Sequence, residues 1–577
     1  MGFMEQYEKW LTSESVLDVD KAALKELSTD SKELEECFYR DLEFGTAGMR
    51  GILGLGTNRL NIYNVRHASL GVAQFVLKEG KAAAEKGVVI GYDTRIMSRE
   101  FAEETAKVLA AAGVKVYLFD TVHTVPEVSF AIREMGCSAG VMITASHNPK
   151  EYNGYKVYGP DGGQLPPDAV QTVIDTMHST DIFSVEVADF DKALKDGTIT
   201  VVGPELNEKF LSVIKKQQLN PDAVKAVGDT FKLIYTPLHG TGSRPVKEIL
   251  KRIGFKNVIV VKEQDTEDGT FPTVKSPNPE NAEAFTIAIE MAKENDVDVI
   301  IGTDPDCDRV GIVVRDANGV YRTLTGNQTG ALLVEYILSS LKEQNRLPEN
   351  GVVIKTIVTT ELAAAIAKNY GVEIMNVLTG FKYIGEKMTE FAEKKNHTYL
   401  IGFEESYGYL VGTHARDKDG VVASMLIAEM AAYYKTKGKS LYEALEDIYK
   451  KYGCYVEHTV SYVMPGKDGM AKMAAILENL RNNAPKTING YDVVKVSDFL
   501  TQTITHADGS VSEITDLPKS DVTRFDLSDN KSYFIVRPSG TEPKIKLYMG
   551  TFDDSIDKAN TTIGNMQKDA ETKIGLL

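Results

Sequence analysis

Three aspartates stand at alternate positions directly after a predicted buried strand. They are Asp304, Asp306 and Asp308, in the segment Gly-Thr-Asp-Pro-Asp-Cys-Asp-Arg at residues 302–309. In an extended segment the side-chain direction repeats every two residues, so we expect the three carboxylates to point the same way. Three anions so close repel one another unless a cation lies between them. Oxygen ligands favour Mg²⁺ or Ca²⁺ over zinc, and Mg²⁺ commonly takes a few carboxylates together with a phosphate oxygen. The segment therefore predicts a metal site that leaves a position for a phosphorylated group.

A second candidate is the serine in Thr-Ala-Ser-His-Asn-Pro at residues 144–149, which also follows a predicted buried strand. Open parallel sheets bind their ligands at the loops that leave the carboxyl ends of the strands. In such a loop the hydroxyl of Ser146 would be exposed beside His147, and Lys156 follows ten residues later. The alternative is structural, because a serine hydroxyl in a loop often caps a local bend. This segment alone leaves both interpretations open.

Two further segments carry groups that bind sugars or phosphates. In Gly-Phe-Glu-Glu-Ser-Tyr-Gly at residues 402–408, Glu404 and Ser406 offer the acceptors and the donor that sugar hydroxyls need. The segment Arg-Pro-Ser-Gly-Thr-Glu-Pro-Lys at residues 537–544 combines a glycine turn, two hydroxyls and a guanidinium, which predicts an anion-binding nest. It lacks the spacing of a Walker loop. Each segment has an ordinary surface turn as its alternative.

The elements that position these segments alternate between strand and helix. Short apolar runs, such as residues 88–92, 233–236 and 351–358, alternate with amphipathic stretches of helical length. This rhythm occurs three times and predicts right-handed βαβ crossovers, mainly parallel sheets and three similar α/β domains in tandem. Roughly the last 120 residues instead predict a smaller α+β domain, joined by a hinge near Gly453.

Composition and charge exclude several classes of protein. A chain of 577 residues is too long for one core, and its net charge of −17 argues against a uniform basic surface for nucleic acid. Its four cysteines form no CxxC pair, which argues against zinc fingers and a disulfide framework. The sequence shows neither a signal peptide nor an apolar run of membrane-spanning length. We therefore expect a soluble, cytoplasmic protein.

Taken together, the segments resemble the motifs of the α-D-phosphohexomutase superfamily, most closely those of its phosphoglucomutase and phosphomannomutase members. Residues 144–149 resemble the phosphoserine loop, 302–309 the magnesium loop, 402–408 the sugar-recognition loop and 537–544 the phosphate-binding loop of a fourth domain. The resemblance covers essentially the whole chain, with the motifs in the family's order. There are departures: a cysteine stands at position 307, where many relatives have glycine, and Tyr-Gly stands where bacterial dual-specificity relatives tend to have Gly-His.

The resemblance implies an α/β fold with four domains around one central cleft, of which the first three are alike and the fourth is α+β. The implied domains are residues 1–205 with the phosphoserine loop, 206–321 with the metal-binding loop, 322–453 with the sugar-recognition loop and 454–577 with the phosphate-binding loop.

The resemblance also implies roles for individual residues. The implied catalytic residues are Ser146, which carries the phosphate, His147, Lys156 and Arg50. To these we add Lys418, which lies near the sugar-recognition loop in the sequence, and we expect Lys418 or His147 to be the general acid or base. The implied substrate-binding residues are Arg309, Thr379, Gly380, Lys382, Glu404, Ser406, Arg537, Ser539, Gly540 and Thr541. The implied metal ligands are Ser146, Asp304, Asp306 and Asp308.

The implied activity is that of an isomerase, which interconverts glucose 1-phosphate and glucose 6-phosphate through a phosphoserine enzyme. Its cofactors would be Mg²⁺ and glucose 1,6-bisphosphate, the latter as intermediate and activator. Phosphomannomutase or phosphopentomutase activity is the alternative. An aspartyl-phosphate phosphatase, which shares an Asp-x-Asp motif after a buried strand, and a sugar-phosphate binder without turnover are more remote. We expect small sugar phosphates as partners, no nucleic acid or membrane, and a monomer or homodimer.

Overall fold

The first sheet places the serine segment at the carboxyl end of a buried parallel strand. The computed structural model describes residues 2–45, 48–464, 466–538 and 544–576. The sheet has the order β1-β2-β6-β5-β3-β4-β7, in which β5, β3, β4 and β7 run parallel and the rest antiparallel. Its strands are β1 (Phe44–Gly45), β2 (Gly48–Ile52), β3 (Val88–Tyr92), β4 (Val116–Phe119), β5 (Ala139–Ile143), β6 (Tyr152–Tyr158) and β7 (Ile199–Val202). Its helices are α1 (Phe3–Thr12), α2 (Asp18–Leu27), α3 (Ser31–Phe38), α4 (Ile62–Lys78), α5 (Lys81–Lys86), α6 (Ser98–Ala111), α7 (Val125–Met135), α8 (Pro167–Ser179) and α9 (Phe190–Asp196).

The second sheet has the order β12-β11-β10-β8-β9, with β10, β8 and β9 parallel. Its strands are β8 (Lys232–Thr236), β9 (Asn257–Val260), β10 (Val299–Thr303), β11 (Val310–Arg315) and β12 (Tyr321–Leu324). The accompanying helices are α10 (Pro204–Lys215), α11 (Pro221–Val227), α12 (Ser243–Ile253) and α13 (Thr286–Asn295).

The third sheet repeats this plan with the order β14-β13-β15-β16, in which only β16 is antiparallel. Its strands are β13 (Gly351–Thr356), β14 (Glu373–Val377), β15 (Thr398–Phe403) and β16 (Tyr409–Val411). Its helices are α14 (Gly326–Glu343), α15 (Leu362–Tyr370), α16 (Phe381–Lys394), α17 (Gly420–Thr436) and α18 (Leu441–Tyr452). Helix α17 is apolar on all sides and packs between the second and third sheets, as expected of a helix in the interior of a large core.

The fourth sheet is antiparallel throughout and confirms that the C-terminal region differs in character. Its path is β17-β24-β23-β22-β19-β20-β21, with β18 paired to β19. The strands are β17 (Cys454–Val463), β18 (Thr487–Ile488), β19 (Tyr491–Asp498), β20 (Thr503–His506), β21 (Val511–Glu513), β22 (Thr523–Leu527), β23 (Tyr533–Pro538) and β24 (Lys544–Asp553). Helices α19 (Gly466–Asn482) and α20 (Ile556–Lys573) accompany them. The predicted fold class, three α/β domains followed by an α+β domain, is confirmed, and the exact domain boundaries stay predictions.

The three α/β sheets carry their polar loops at one equivalent place. In each, the loop leaves the carboxyl end of a buried parallel strand and returns as the adjacent antiparallel strand. These loops are the serine loop between β5 and β6, the aspartate loop between β10 and β11, and the glutamate loop between β15 and β16. Each loop also contains one non-glycine residue in the left-handed region: Ser146 at φ 51°, Cys307 at φ 54° and Tyr407 at φ 67°. Such conformations cost free energy and cluster at functional sites.

None of the helices in these described residues is both long and apolar enough to cross a membrane.

Two helical glycines provide a test of how tightly α14 packs behind the glutamate loop. A Cβ at Gly330 would lie 2.2 Å from the ring of Phe403, whereas a Cβ at Gly564 in α20 meets nothing within 4 Å. Alanine is the better helix former by about 1 kcal/mol, so Gly564→Ala should stabilise the protein by up to that amount. Gly330→Ala should instead destabilise it by at least about 1 kcal/mol, because overpacking outweighs helix propensity. Thermal unfolding measures the change in stability of each variant relative to wild type. An equal change in the two variants would contradict the packing of α14 on β15.

Candidate active site

The three aspartates of the aspartate loop converge, although not for the reason expected from the sequence. The expected extended segment is wrong: the loop is a tight turn, in which the Cys307 N–H donates to the Asp304 carbonyl at 2.9 Å. The left-handed Cys307 closes this turn. One oxygen from each of Asp304, Asp306 and Asp308 lies within 4.8 Å of the others, and all three side chains are buried. The turn, rather than strand alternation, brings the carboxylates together.

The donors around these carboxylates leave room for a cation. Oδ1 of Asp304 accepts hydrogen bonds from the N–H groups of Asp308 and Arg309, at 3.1 and 3.0 Å. Oδ1 of Asp306 and Oδ1 of Asp308 are buried and accept no hydrogen bond from any part of the chain that the structure describes. Burial, and then the two neighbouring carboxylates, raise the pKa of Asp304 well above its ordinary value. Unsatisfied buried oxygens that repel one another fit a hard divalent metal ion.

The serine loop meets the aspartate loop directly. The Ser146 hydroxyl donates to Oδ2 of Asp304 at 2.8 Å and lies 3.2 Å from Nδ1 of His147. The Ser146 N–H donates to Oγ1 of Thr144 at 2.8 Å, and Thr144 in turn donates to Oδ2 of Asp306 at 3.1 Å. A hydroxyl that caps a bend would bond to nearby backbone, so these contacts favour the functional interpretation of Ser146.

His147 is held as a neutral imidazole. Burial, and then the positive charges of Arg309 and Arg50, lower the pKa of His147 well below its ordinary value. A neutral imidazole beside a hydroxyl can accept the proton of that hydroxyl.

Cations from separate parts of the chain balance the aspartates. Lys156 on β6 donates to Oδ2 of Asp306 at 2.8 Å and to Oδ2 of Asp308 at 3.3 Å. Lys418, directly before α17, lies 3.2 Å from the same Asp308 oxygen. Burial alone would lower the pKa of both lysines, but the neighbouring carboxylates raise it, so both are charged. Arg309 pairs with Glu280, from the segment that precedes α13.

Asp417 is a residue that the sequence patterns missed. It is buried, and its Oδ1 accepts a hydrogen bond from Nζ of Lys418 at 3.0 Å. Its Oδ2 accepts from the Tyr158 hydroxyl at 3.2 Å and from Nε2 of Gln164 at 3.0 Å. The carboxylate therefore ties Lys418 to β6, the strand that carries Lys156. Nothing in the local sequence connects these groups, which are more than 250 residues apart.

The two arginines near the N-terminus differ in position. Arg50 on β2 donates to Oδ1 of Asn148 at 3.0 Å, so its guanidinium reaches the serine loop from the side. Arg95 is buried and donates to backbone carbonyls of the serine loop and of Tyr152. Of the two, Arg95 therefore has a structural role, because it holds the backbone of the serine loop.

The glutamate loop faces the start of α16. Oε1 of Glu404 accepts a hydrogen bond from the Gly380 N–H at 3.0 Å, and Gly380 has a φ of 124° that favours glycine. Oγ1 of the adjacent Thr379 is buried without a hydrogen-bond partner among the described residues. Ser406 is half-buried. Burial raises the pKa of Glu404 to about 7, with Lys418 opposing the shift. An unsatisfied hydroxyl and a buried carboxylate are suited to bind a polyhydroxy ligand.

The fourth sheet carries two cations close to the glutamate loop. Arg537 on β23 and Lys546 on β24 are direct cross-strand partners, an arrangement that is unfavourable without an anion between them. Burial lowers the pKa of Lys546. Burial also lowers the pKa of Lys382 on α16, where Glu386 opposes the shift and the charge of Arg537 adds to it. Lys546 was missed by the motif, although it stands opposite Arg537. The predicted binding residues Ser539, Gly540 and Thr541 lie outside the described residues.

The site combines a serine hydroxyl, three aspartates whose charge is balanced by lysines, and a pair of cations on the fourth sheet. This combination defines a class of protein. Positioned charge and a hydroxyl acceptor are what an enzyme that transfers phosphoryl groups requires.

Comparisons with known proteins agree with this class. Models of the phosphoglucomutase/phosphomannomutase α/β/α domains I, II and III match residues 41–182, 208–319 and 325–452. A phosphoglucomutase of Staphylococcus haemolyticus is 37% identical over 543 residues, which cover 92% of this chain and 94% of the relative. A phosphoglucomutase of Staphylococcus epidermidis is 39% identical over 559 residues, covering 95% and 98%. The open-form structure of parafusin, a phosphoglucomutase from Paramecium, superposes with a TM-score of 0.67 at 18% identity over 93% of this chain and 96% of that one, which shows the shared fold.

The chain belongs to the phosphoglucomutase/phosphomannomutase family and is a phosphohexomutase, an isomerase.

The pKa of Glu404 gives a pH-dependent prediction. A carboxyl whose folded-state pKa is raised to about 7 stabilises the fold below its unfolded value and loses that contribution as the pH rises through 7. Glu404→Gln removes this dependence, so relative to wild type the variant should gain up to about 3 kcal/mol between pH 4.5 and pH 8. Thermal unfolding at both pH values, without sugar phosphate, measures the gain. Glu405→Gln, a change at the half-buried neighbour, is the control, and a pH-independent difference for Glu404→Gln would contradict the buried environment.

Proposed function

We propose that this enzyme is a phosphoglucomutase, which interconverts glucose 1-phosphate and glucose 6-phosphate through phosphorylated Ser146. The observation that carries the proposal is the contact of the Ser146 hydroxyl with the acidic centre, 2.8 Å from Oδ2 of Asp304. The preference for glucose is supported by the name phosphoglucomutase that both staphylococcal relatives carry. The relatives do not favour the alternative substrates, mannose and pentose phosphates.

In the proposed cycle, phosphorylated Ser146 transfers its phosphoryl group to O6 of glucose 1-phosphate. The Oγ–P bond breaks, an O6–P bond forms, and the O6 proton passes to a base. The product, glucose 1,6-bisphosphate, then reorients. The O1–P bond breaks, an Oγ–P bond to Ser146 forms, and O1 takes up the proton that the base had accepted, which releases glucose 6-phosphate. The neutral imidazole of His147 is suited to accept a proton. Lys418 is charged and is therefore suited to donate a proton or to stabilise negative charge.

The carboxylates of Asp304, Asp306 and Asp308 would hold Mg²⁺, together with an oxygen of the phosphoryl group on Ser146. Bound there, the ion would neutralise charge on the group in transfer. Lys156 and Arg309 would assist it, since both lie against these aspartates.

The remaining residues would bind the sugar phosphate. Glu404 and Ser406 would contact sugar hydroxyls, with Thr379, Gly380 and Lys382 at the facing loop. Arg537, with Ser539, Gly540 and Thr541, would hold the phosphate that does not react, and Lys546 joins this set because it opposes Arg537 across the sheet. Binding of the remote phosphate would orient the reacting end.

An aspartyl phosphate on Asp304 is the chemical competitor of phosphoserine. Both carboxylate oxygens of Asp304 already accept hydrogen bonds, one from two backbone N–H groups and the other from the Ser146 hydroxyl. This arrangement favours a ligand role for Asp304 over nucleophilic attack.

Ser146→Ala should abolish mutase activity, by at least about a thousandfold, while the protein folds normally, because it removes the hydroxyl that carries the phosphoryl group in the proposed cycle. A coupled assay with glucose 1-phosphate measures the loss, and parallel assays with mannose, ribose and N-acetylglucosamine 1-phosphates establish the preferred sugar. Intact mass before and after hydroxylamine distinguishes the carriers, since an acyl phosphate is destroyed and a phosphoserine survives. Phosphate found on Asp304 in the active enzyme would refute the proposal.

Chelation should abolish activity and Mg²⁺ should restore it, because the buried carboxylates repel without a cation. Asp306→Asn should weaken Mg²⁺ binding by at least about tenfold, since it removes one charged ligand. Titration of the metal-free protein with Mg²⁺ measures the affinity independently of turnover. Full activity in excess chelator, with no ion on the protein, would overturn the metal assignment.

A further inference from the structure

The backbone of the serine loop is held by a buried guanidinium. Nη2 of Arg95 donates to the carbonyls of Ser146 and Asn148, each at 2.5 Å, and Nη1 donates to those of Pro149 and Tyr152 at 2.9 and 3.0 Å. A planar guanidinium is suited to this task because its five N–H groups have fixed directions.

Arg95 is itself held by its neighbour Asp93. The Asp93 side chain is fully buried, and its Oδ2 lies 3.3 Å from Nε of Arg95. Its Oδ1 accepts hydrogen bonds from the Arg95 N–H at 3.0 Å and from the Ser98 hydroxyl at 2.7 Å. The guanidinium is therefore fixed on the side away from the loop as well.

A segment attached to the second sheet lies over this arrangement. We call residues 265–281 the strap. Gly269 forms a parallel bridge with Arg95, and a Cβ at Gly269 would lie 2.5 Å from the Ile96 nitrogen, so only glycine permits this approach. Phe271 is buried and its backbone is in the left-handed region, and its ring lies 4.9 Å from the Arg95 guanidinium. The Ser276 hydroxyl donates to the carbonyl of His147 at 2.7 Å.

The strap is anchored to the domain that carries the aspartates. The buried His239 contacts Thr266 through Nδ1 and Thr273 through Nε2, the latter at 2.9 Å. At its far end, Glu280 pairs with Arg309 of the aspartate loop. The strap thus contacts the serine loop at His147 and the aspartate loop at Arg309, the two loops in which Ser146 and Asp304 lie.

We propose that the strap positions the phosphate-carrying serine against the aspartates, with Ser276 and Arg95 as positioning residues; this inference rests on the proposed function of Ser146. Left-handed serine at φ 51° is a strained conformation that persists only where surrounding contacts impose it. Arg95 fixes four carbonyls around it, and Ser276 fixes a fifth from the opposite domain. Loss of these contacts would move the Ser146 hydroxyl relative to Asp304, and misplacement of a reacting group slows transfer without weakening the binding of a distant sugar.

The test compares full-length Ser276→Ala with Ser276→Thr, which keeps the hydroxyl, and with Thr270→Ala. Thr270 is the matched control, because among the described residues its hydroxyl bonds to Asp268, which also lies within the strap. Ser276→Ala should lower kcat for glucose 1-phosphate, and the rate at which glucose 1,6-bisphosphate phosphorylates Ser146, by about three- to tenfold, with KM changed less than about twofold. Ser276→Thr should recover most of both rates, and Thr270→Ala should match wild type. Arg95→Lys, which loses the fork, should lose about a hundredfold in kcat.

Deuterium exchange separates this inference from the proposed function. Amides of residues 144–152 should exchange faster in Ser276→Ala than in wild type or Thr270→Ala, whatever the catalytic activity proves to be. Should wild type neither turn over glucose 1-phosphate nor become phosphorylated, the proposed function fails while the exchange still tests the strap. Should Arg95→Lys not fold, the Ser276 variants decide alone. The proposal would be overturned if Ser276→Ala had the same kcat, the same rate of Ser146 phosphorylation and the same amide exchange as wild type.

Discussion

The mutual repulsion of three buried carboxylates, Asp304, Asp306 and Asp308, is the constraint on which the rest of the structure depends. Buried charge is tolerated only where it is paired, and removal of a partner leaves an uncompensated charge that costs several kcal/mol. The partners come from elsewhere: Lys156 from the first sheet and Lys418 from the turn before α17. The ion pairs that balance the charge of the site therefore also hold the first three domains together.

The left-handed turn that gathers the aspartates explains how a cysteine is tolerated at position 307. Glycine adopts a φ of 54° without strain, so a cysteine there needs compensation. Its sulfur fills space left by two glycines: a Cβ would lie 2.9 Å from Sγ at Gly242 and 3.0 Å from it at Gly420. The side chain is fully buried, and its packing offsets the backbone cost. The departure from the family pattern is thus accommodated in the packing around the loop and leaves the carboxylates in place.

The fourth domain reaches the cleft through contacts with the third. Arg524 on β22 lies 3.5 Å from Glu361, and Glu457 on β17 accepts a hydrogen bond from Thr360. An apolar cluster that includes Leu378 beside the Thr379 loop and Ile535 on β23 joins the same two domains. Because β23 also carries Arg537, this interface sets the distance between the cation pair of the fourth sheet and the glutamate loop.

The sequence by itself determined the alternation of strands and helices, and it predicted the three loops whose polar residues meet in the structure. The apolar runs at residues 88–92 and 233–236 lie in strands, and the run at 351–358 is a strand as far as Thr356, because side-chain burial follows local patterns. The repulsion of the three aspartates indicated a cation, because charge is also read from the local sequence. Only the tertiary structure showed that Cys307 folds the aspartate loop into a turn, that Asp417 holds Lys418, and that the strap covers Arg95. The contact of Asp417 with Tyr158 joins residues 259 apart, and that of Ser276 with His147 joins residues 129 apart. No local periodicity encodes which loops meet when separate domains dock.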